Sequence, residues 1–246
     1  MEKKYEAEYS ELERENWWFI GRRGLISAIT NKILKEGDKV LDIGCSTGIN
    51  ARAYSKGKKL NIYGLDSSKT LLTNPDVFKG MKIICGNAEK LPFKDKYFDN
   101  VVCFDLLEHL NKDNQCVKES YRVLKTGGKF IIFVPAFQFL WNDHDVVNEH
   151  KRRYSKKSLK KLLANKGFKI RRMYYWNSFL FLPILIFKIF RRTKNPGEAR
   201  SDHSVFKMPK IFNLALLTVL KIENFLINLG ISLPFGISLI AIAEKE

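Results

Sequence analysis

Short apolar runs recur along the first two thirds of the chain, each followed by a polar turn and a stretch of helical spacing. Residues 5–35 read as mostly helical, broken by the aromatic trio Trp17, Trp18 and Phe19. Lys39–Ile43 is a five-residue apolar run closing on Gly44, the length of a buried strand. A helix of about Thr47–Lys56 follows, then strands at Leu60–Leu65, Met81–Cys85 and Phe98–Phe104. Asp113–Leu124 has helical spacing and runs into Thr126-Gly127-Gly128, where glycine supplies a left-handed cap. Lys129–Val134 is a fifth strand, Lys156–Asn165 a helix, Phe168–Trp176 a sixth strand and Gly236–Ala243 a last one. Strands alternating with helices predict an α/β fold with a doubly wound, mostly parallel seven-stranded sheet. Three parts are expected: a helical lid over 1–35, a core over 36–177 and 233–246, and an apolar, basic helical cap over 178–232.

Composition adds a core and a charge. Hydrophobic residues make up 45% of 246, enough for a packed interior. The net charge of +17 is unevenly spread. Residues 151–210 hold 18 Lys and Arg against two acids, Glu198 and Asp202, whereas residues 1–110 are close to balance. Such a block points to an anionic partner: a nucleic acid, an anionic membrane surface or a phosphorylated substrate. The four cysteines (Cys45, Cys85, Cys103, Cys116) lack metal-binding spacing and read as buried thiols of a reducing compartment. The charged N-terminus has no apolar signal core, so the expected location is cytoplasmic, with a peripheral position at the inner face of the membrane.

The chemistry begins at Leu41-Asp42-Ile43-Gly44-Cys45-Ser46-Thr47-Gly48, where a strand delivers a glycine turn into a helix. Glycine there lets a ligand approach the backbone. The dinucleotide spacing G-x-G-x-x-G needs glycine at 46 and 49, where Ser46 and Ile49 stand, which argues against NAD or FAD. Asp66 closes the second strand 22 residues after Gly44, placed to accept hydrogen bonds from both hydroxyls of a ribose. Asn87, after the third strand, offers an amide to an adenine edge. All these positions fall at the carboxyl ends of strands, where open α/β sheets bind ligands.

The series LDIGCSTG, GLD, GNAEKLPF, FDNVVCFDLLEHL and RVLKTGGKFIIFVPA, over residues 36–136, resembles the class I S-adenosylmethionine-dependent methyltransferases, in their small-molecule branch. The resemblance implies a Rossmann-like fold and S-adenosylmethionine as cofactor. It further implies that Asp42, Gly44, Cys45 and Gly48 surround the methionine moiety, Asp66 and Ser67 the ribose, Asn87 and Ala88 the adenine, and Phe104 and Asp105 the sulfonium. Ser46 stands where that family usually has glycine, and Asn87 where it usually has aspartate.

Candidate acid–base groups are His109, after the fourth strand, and His144, which Asp143 or Asp145 could orient as a general base. Arg152, Arg153 and Tyr154 could clamp a phosphate. The segment from Trp141 to Tyr154 and the N-terminal NWWFIGRR resemble the signatures of one subgroup of these methyltransferases. No metal is the first expectation; the alternative set, Asp143, His144, Asp145 and His150, is crowded into one segment.

Phe179–Phe187 is wholly apolar but too short for a bilayer, which needs about 20 residues. Arg171-Arg172 and Arg191-Arg192 flank it, as suits an interfacial segment. A helix from Met208 to about Leu229 is amphipathic, with Glu223, Asn224 and Asn228 among its polar positions. A polar Thr193–Lys207 stretch between them could form a mobile lid, with His203 as a loop residue. The expected acceptor is therefore a small, amphiphilic or lipid- or sugar-linked molecule, and nucleic acid is the weaker fit. An RNA methyltransferase and a non-catalytic S-adenosylmethionine-binding partner at a membrane are the alternatives.

Overall fold

The computed structural model describes residues 13–72, 74, 77–190 and 209–246. The extreme N-terminus, the Thr193–Lys207 stretch, His203 and Arg191-Arg192 lie outside the described residues. Seven strands form one sheet: β1 (Lys39–Ile43), β2 (Asn61–Asp66), β3 (Met81–Cys85), β4 (Phe98–Phe104), β5 (Leu124–Pro135), β6 (Phe168–Trp176) and β7 (Ser238–Lys245). Their order is β3-β2-β1-β4-β5-β7-β6, parallel except for β7, which runs antiparallel to both neighbours. The order reverses beside β1, and the cleft at that switch is where such sheets bind ligands.

The central strands β1 and β4, with β7 and the Phe130–Val134 part of β5, are buried on both faces, which is why they read as largely apolar runs; β6 at the edge exposes Lys169, Arg171 and Arg172. Alternation splits their side chains between two cores. Leu41, Ile43, Val101, Cys103, Phe130 and Ile132 face one side. There they meet α3 (Asp113–Val123) and α5 (Lys156–Ala164) through Val117, Leu159 and Leu163. Val40, Ile62, Val102, Phe104, Ile131 and Phe133 face the other. That side is covered by α1 (Trp17–Ile33), α2 (Ile49–Tyr54) and α7 (Lys210–Asn228). Two short elements complete the order, α4 (Asp143–Val147) and α6 (Phe181–Phe190).

Two expectations change. The pair Gly127-Gly128 does not cap α3. Leu124 is already extended, and β5 carries an irregularity opposite Phe98 and Asn100, with Gly127 at φ +77° inside it. A Cβ at Gly128 would stand 2.8 Å from the carbonyl oxygens of Asp99 and Lys125, so the glycines serve the bulge. The second change concerns lid and cap: α1 and α7 pack side by side as one layer on the sheet. A Cβ on Gly21 would lie 2.5 Å from Leu220 Cδ1, so glycine permits the close approach. The Trp17 N–H donates to Asn213 Oδ1 (2.8 Å), Asn224 Nδ2 to Gly21 O (2.8 Å) and Lys32 Nζ to Asn228 O (2.7 Å).

The orientation of α7 is the less expected feature. Its polar residues Glu223, Asn224 and Asn213 turn inward. Glu223, only 2% exposed, accepts the N–H of Ser178 at 2.9 Å, just before α6, and Trp176 Nε1 donates to Asn224 Oδ1 (2.8 Å). Its outward stripe is Ile211 (74% exposed), Leu214, Ile222, Phe225 (62%) and Leu229. This helix is long and apolar enough to cross a membrane by length and composition, with mean hydropathy 1.4. Its inward hydrogen bonds instead tie it to α1 and to the loop after β6.

Candidate functional site

The turn after β1 is held by backbone bonds: Gly44 N–H donates to Leu65 O (2.8 Å) and Gly48 N–H to Cys45 O (2.9 Å). Three of its residues have positive φ: Gly44 (+74°), Ser46 (+48°) and Gly48 (+78°). A Cβ at Gly48 would come within 2.6 Å of Met81 Cε. Serine at the middle position adopts a backbone that glycine takes without cost, so the departure noted in the sequence is a small local strain. The turn is anchored by Asp66, whose carboxylate accepts the N–H of Ser46 and of Ser68, each at 3.0 Å.

A cavity of about 450 Å³ opens here at the carboxyl ends of β1, β2 and β3. Gly44, Asp66, Ser67, Asn87 and Ala88, all expected at a cofactor site, line it together with Leu106 and Leu110, which were not. Asn87 Oδ1 accepts the Glu89 N–H (2.8 Å), leaving its amide NH₂ as the end available to a ligand. The other expected cofactor residues support the cavity without lining it. Asp42 and Cys45 are buried beneath the turn, and Gly48 starts α2. Tyr54 Oη donates to Asp42 Oδ2 (3.0 Å), yet burial pushes the Asp42 carboxyl up to about 7. A backbone cradle, a carboxylate at the end of β2 and an amide at the end of β3 suit a nucleoside ligand with a small polar tail.

Phe104 is buried at the end of β4, and Asp105 follows with φ +51° and its N–H on Phe133 O (2.9 Å). The Asp105 carboxylate is paired with the buried guanidinium of Arg22 from α1, which lies over the Trp18 ring at 4.9 Å. The N-terminal helix thus reaches the end of β4, close to the cavity wall made by Leu106.

Beside this wall lies a buried polar cluster built from two segments. Asp145, with no exposure, accepts His150 Nδ1 (2.8 Å), Arg153 Nε and Nη2 (both 2.8 Å) and the Asn142 N–H (2.8 Å). Burial alone would raise this carboxyl, but the His150 and Arg153 hydrogen bonds hold it down to about 2. Asp145 therefore orients His150 and not His144, whose Nδ1 lies 3.2 Å from Asn148 Nδ2. Asp143, half-buried, opens α4 one residue after the N-cap Asn142, and the capping box there is made by Asn142 and Asp145. The His109 and His150 rings are 4.6 Å apart, and those of His144 and His150 5.9 Å. Burial pushes His109 and His144 down to about 4, so both are neutral near pH 7.

The expected phosphate clamp is engaged within the protein. Arg153 is taken by Asp145, Arg152 Nη2 donates to Leu110 O (2.9 Å) and Arg152 Nη1 is 3.1 Å from Asp113. Tyr154 Oη donates to Asp113 Oδ2 at 2.8 Å. These residues brace the loop after β4 against the loop after β5. Glu108, 1% exposed, was not singled out from the sequence: it sits among Leu106, Leu107 and Leu110, and only the fold shows that it meets His150.

Residues 41–132 match the family model described as a methyltransferase domain. A protein of Methanocaldococcus jannaschii is 37% identical over 67% of this chain and 68% of its own length. The ubiquinone/menaquinone biosynthesis C-methyltransferase UbiE of Chromobacterium violaceum is 39% identical over 46% of this chain, a match spanning about half of that relative (48%). Among solved structures, a S-adenosylmethionine-dependent methyltransferase of Thermotoga maritima aligns with a TM-score of 0.59 at 19% identity, covering 97% of this chain and 96% of that one. The fold, the cavity and these matches define a Rossmann-like transferase. The chain belongs to the class I S-adenosylmethionine-dependent methyltransferases, and S-adenosylmethionine is its cofactor.

Proposed function

We propose that this methyltransferase acts on an amphiphilic, lipid- or sugar-linked acceptor presented at an anionic membrane surface. The observation that carries the reading is the outward stripe of α7, Ile211, Leu214, Ile222, Phe225 and Leu229. A row of large exposed apolar side chains on one helix face is uncommon on a soluble surface and suits an interfacial helix. The excess of basic residues over 151–210 supplies the charge that an anionic surface would attract. A relative named for ubiquinone and menaquinone biosynthesis is in keeping with an acceptor that partitions into membranes.

In this reading Asp66 and Ser67 hold the ribose, Asn87 and Ala88 the adenine, and the Gly44–Gly48 turn the amino-acid end, with Asp42 and Cys45 supporting it from below. When bound, S-adenosylmethionine supplies an electrophilic methyl group on a sulfonium. Phe104, Asp105 and Arg22 close the acceptor side and exclude water. The histidine cluster marks the end of the site that orients the acceptor; neutral His144 is the group able to accept its proton, with His109 beside it.

The test is a label-partition experiment with methyl-labelled cofactor, the purified protein and a membrane-containing lysate. Label is expected in the organic extract. Ile222→Glu with Phe225→Glu should lower that label by about 100-fold, as loss of roughly 3 kcal/mol of apolar contact would, with cofactor affinity unchanged. Label confined to the aqueous phase and removed by nuclease would replace this reading with RNA methylation.

A further inference from the structure

We propose that Glu108, His109 and His150 form a binding site for a single divalent first-row transition ion beside the cofactor cavity. One ligand atom from each, a carboxylate oxygen and two ring nitrogens, lies within 4.8 Å of the others. Metal–ligand bonds of about 2.0–2.2 Å to a shared ion put the ligand atoms at separations inside that limit.

Three further features point to a cation. His150 Nδ1 is held by Asp145 at 2.8 Å, which leaves Nε2 as its ligating nitrogen. A carboxylate behind a histidine is the usual outer support of a metal-binding imidazole. Glu108 is buried, and its Oε2 has no hydrogen-bond partner among the described residues. A buried carboxylate oxygen left unsatisfied is costly, and a bound cation satisfies it. The neighbouring charges are already matched, Asp145 with Arg153 and Asp105 with Arg22, so among the described residues Glu108 is the carboxylate here without an ion-pair partner. The two segments are also locked together independently of any ion. Lys151 N–H donates to Glu108 O (2.7 Å), and Arg152 and Tyr154 brace the same loop.

Two imidazoles and one carboxylate suit zinc, iron(II) or manganese better than magnesium or calcium, which prefer all-oxygen sites. Three protein ligands leave coordination positions open. Leu106 and Leu110, on either side of Glu108 and His109 in sequence, line the cavity, so the ion would stand behind that wall, with an acceptor oxygen as the ligand proposed for an open position. Its role is to fix that oxygen and ease loss of its proton. The ion's role toward the acceptor rests on the function proposed above; its binding does not.

The experiment is zinc titration of the full chain, stripped with chelator, by calorimetry, with cobalt(II) absorption as the second readout. One ion per chain is expected, with a cobalt spectrum of nitrogen and oxygen ligands. Glu108→Gln, His109→Ala and His150→Ala should each weaken binding by at least about tenfold. His203→Ala should not. Zinc should raise the melting temperature of the wild type and of His203→Ala, but not of the other three. If the alanine variants fail to fold, the near-isosteric Glu108→Gln and the wild-type cobalt spectrum decide. No stoichiometric binding, binding indifferent to the three substitutions, or a cobalt spectrum of thiolate ligands would each overturn the site. Neither membrane nor acceptor is present, so failure here leaves the membrane reading standing, and failure of the label partition leaves this site untouched.

Discussion

The cofactor cavity and the histidine cluster adjoin each other but are made in opposite ways. The cavity is built largely from backbone: three positive-φ residues, a turn pinned to Leu65, and one carboxylate that accepts two N–H groups of neighbouring loops. It is contributed by the first half of the fold and is open. The cluster is built from side chains of two segments about 40 residues apart and is closed. Its centre, Asp145, has no exposure and four hydrogen bonds. A backbone-made site tolerates side-chain change and depends on a few glycines. A side-chain-made site fails when its central charge is removed.

The largest effect should therefore come from Asp145→Ala. It leaves the guanidinium of Arg153 and the ring of His150 buried without their partner. Breaking such a buried pair costs roughly 3–5 kcal/mol of folding free energy. Urea unfolding should show this as a lowered midpoint, with the slope unchanged. A loss below about 1 kcal/mol, the range of an exposed pair, would show that the cluster is braced mainly by Arg152 and Tyr154.

The same contrast explains what the sequence made legible. The central strands β1 and β4 were readable because they are buried on both faces and written largely as apolar runs; β6 was expected over its observed span, Phe168–Trp176, although Lys169, Arg171 and Arg172 in it are exposed. Gly44, Asp66 and Asn87 were readable because a strand end fixes its next residue in space. Glu108 was not, since its neighbours are leucines and its partner His150 comes from another loop. Asp145, one of the two carboxylates expected to orient His144, bonds His150 instead, because α4 turns its carboxylate that way. Glu223 and Asn224 looked like the solvent face of α7. They are its inner face, because the loop after β6 offers N–H groups that need an acceptor and the α1 backbone offers a carbonyl. Polar residues mark solvent only where no buried backbone awaits them.

A pH experiment probes the support beneath the cavity. Burial raises the Asp42 carboxyl from its ordinary 3.8 to about 7, opposed by the Tyr54 hydroxyl and aided by the nearby charge of Asp66, with the buried Cys45 thiol alongside. Between about pH 4 and pH 7 the folded state holds this proton more firmly than the unfolded chain. Stability from this group is thus greatest at the acid end and falls as pH rises through that window, by a few kcal/mol in total. Asp42→Asn keeps an acceptor for Tyr54 and removes the titration. Relative to the wild type, it should melt progressively higher as pH rises from 4 to 8. A constant difference across that range would mean that water reaches Asp42.

The smallest effect concerns the cavity itself and separates ligand binding from folding. Asp66→Ala removes a half-buried carboxylate whose two amide partners, Ser46 and Ser68, lie near enough to solvent for water to replace it. Folding should change little. Cofactor affinity should fall by roughly 1.5–3 kcal/mol, the usual loss for hydrogen bonds to a charged group, as read by calorimetry with S-adenosylmethionine. Asp66→Asn, which keeps one acceptor oxygen, should lose less. If both variants bind as the wild type does, the ribose is not held at the end of β2, and the open cavity serves another part of the ligand. If both melt as low as Asp145→Ala, the carboxylate is chiefly the pin of the Ser46 turn, and the backbone-made site depends on a side chain as much as the cluster does.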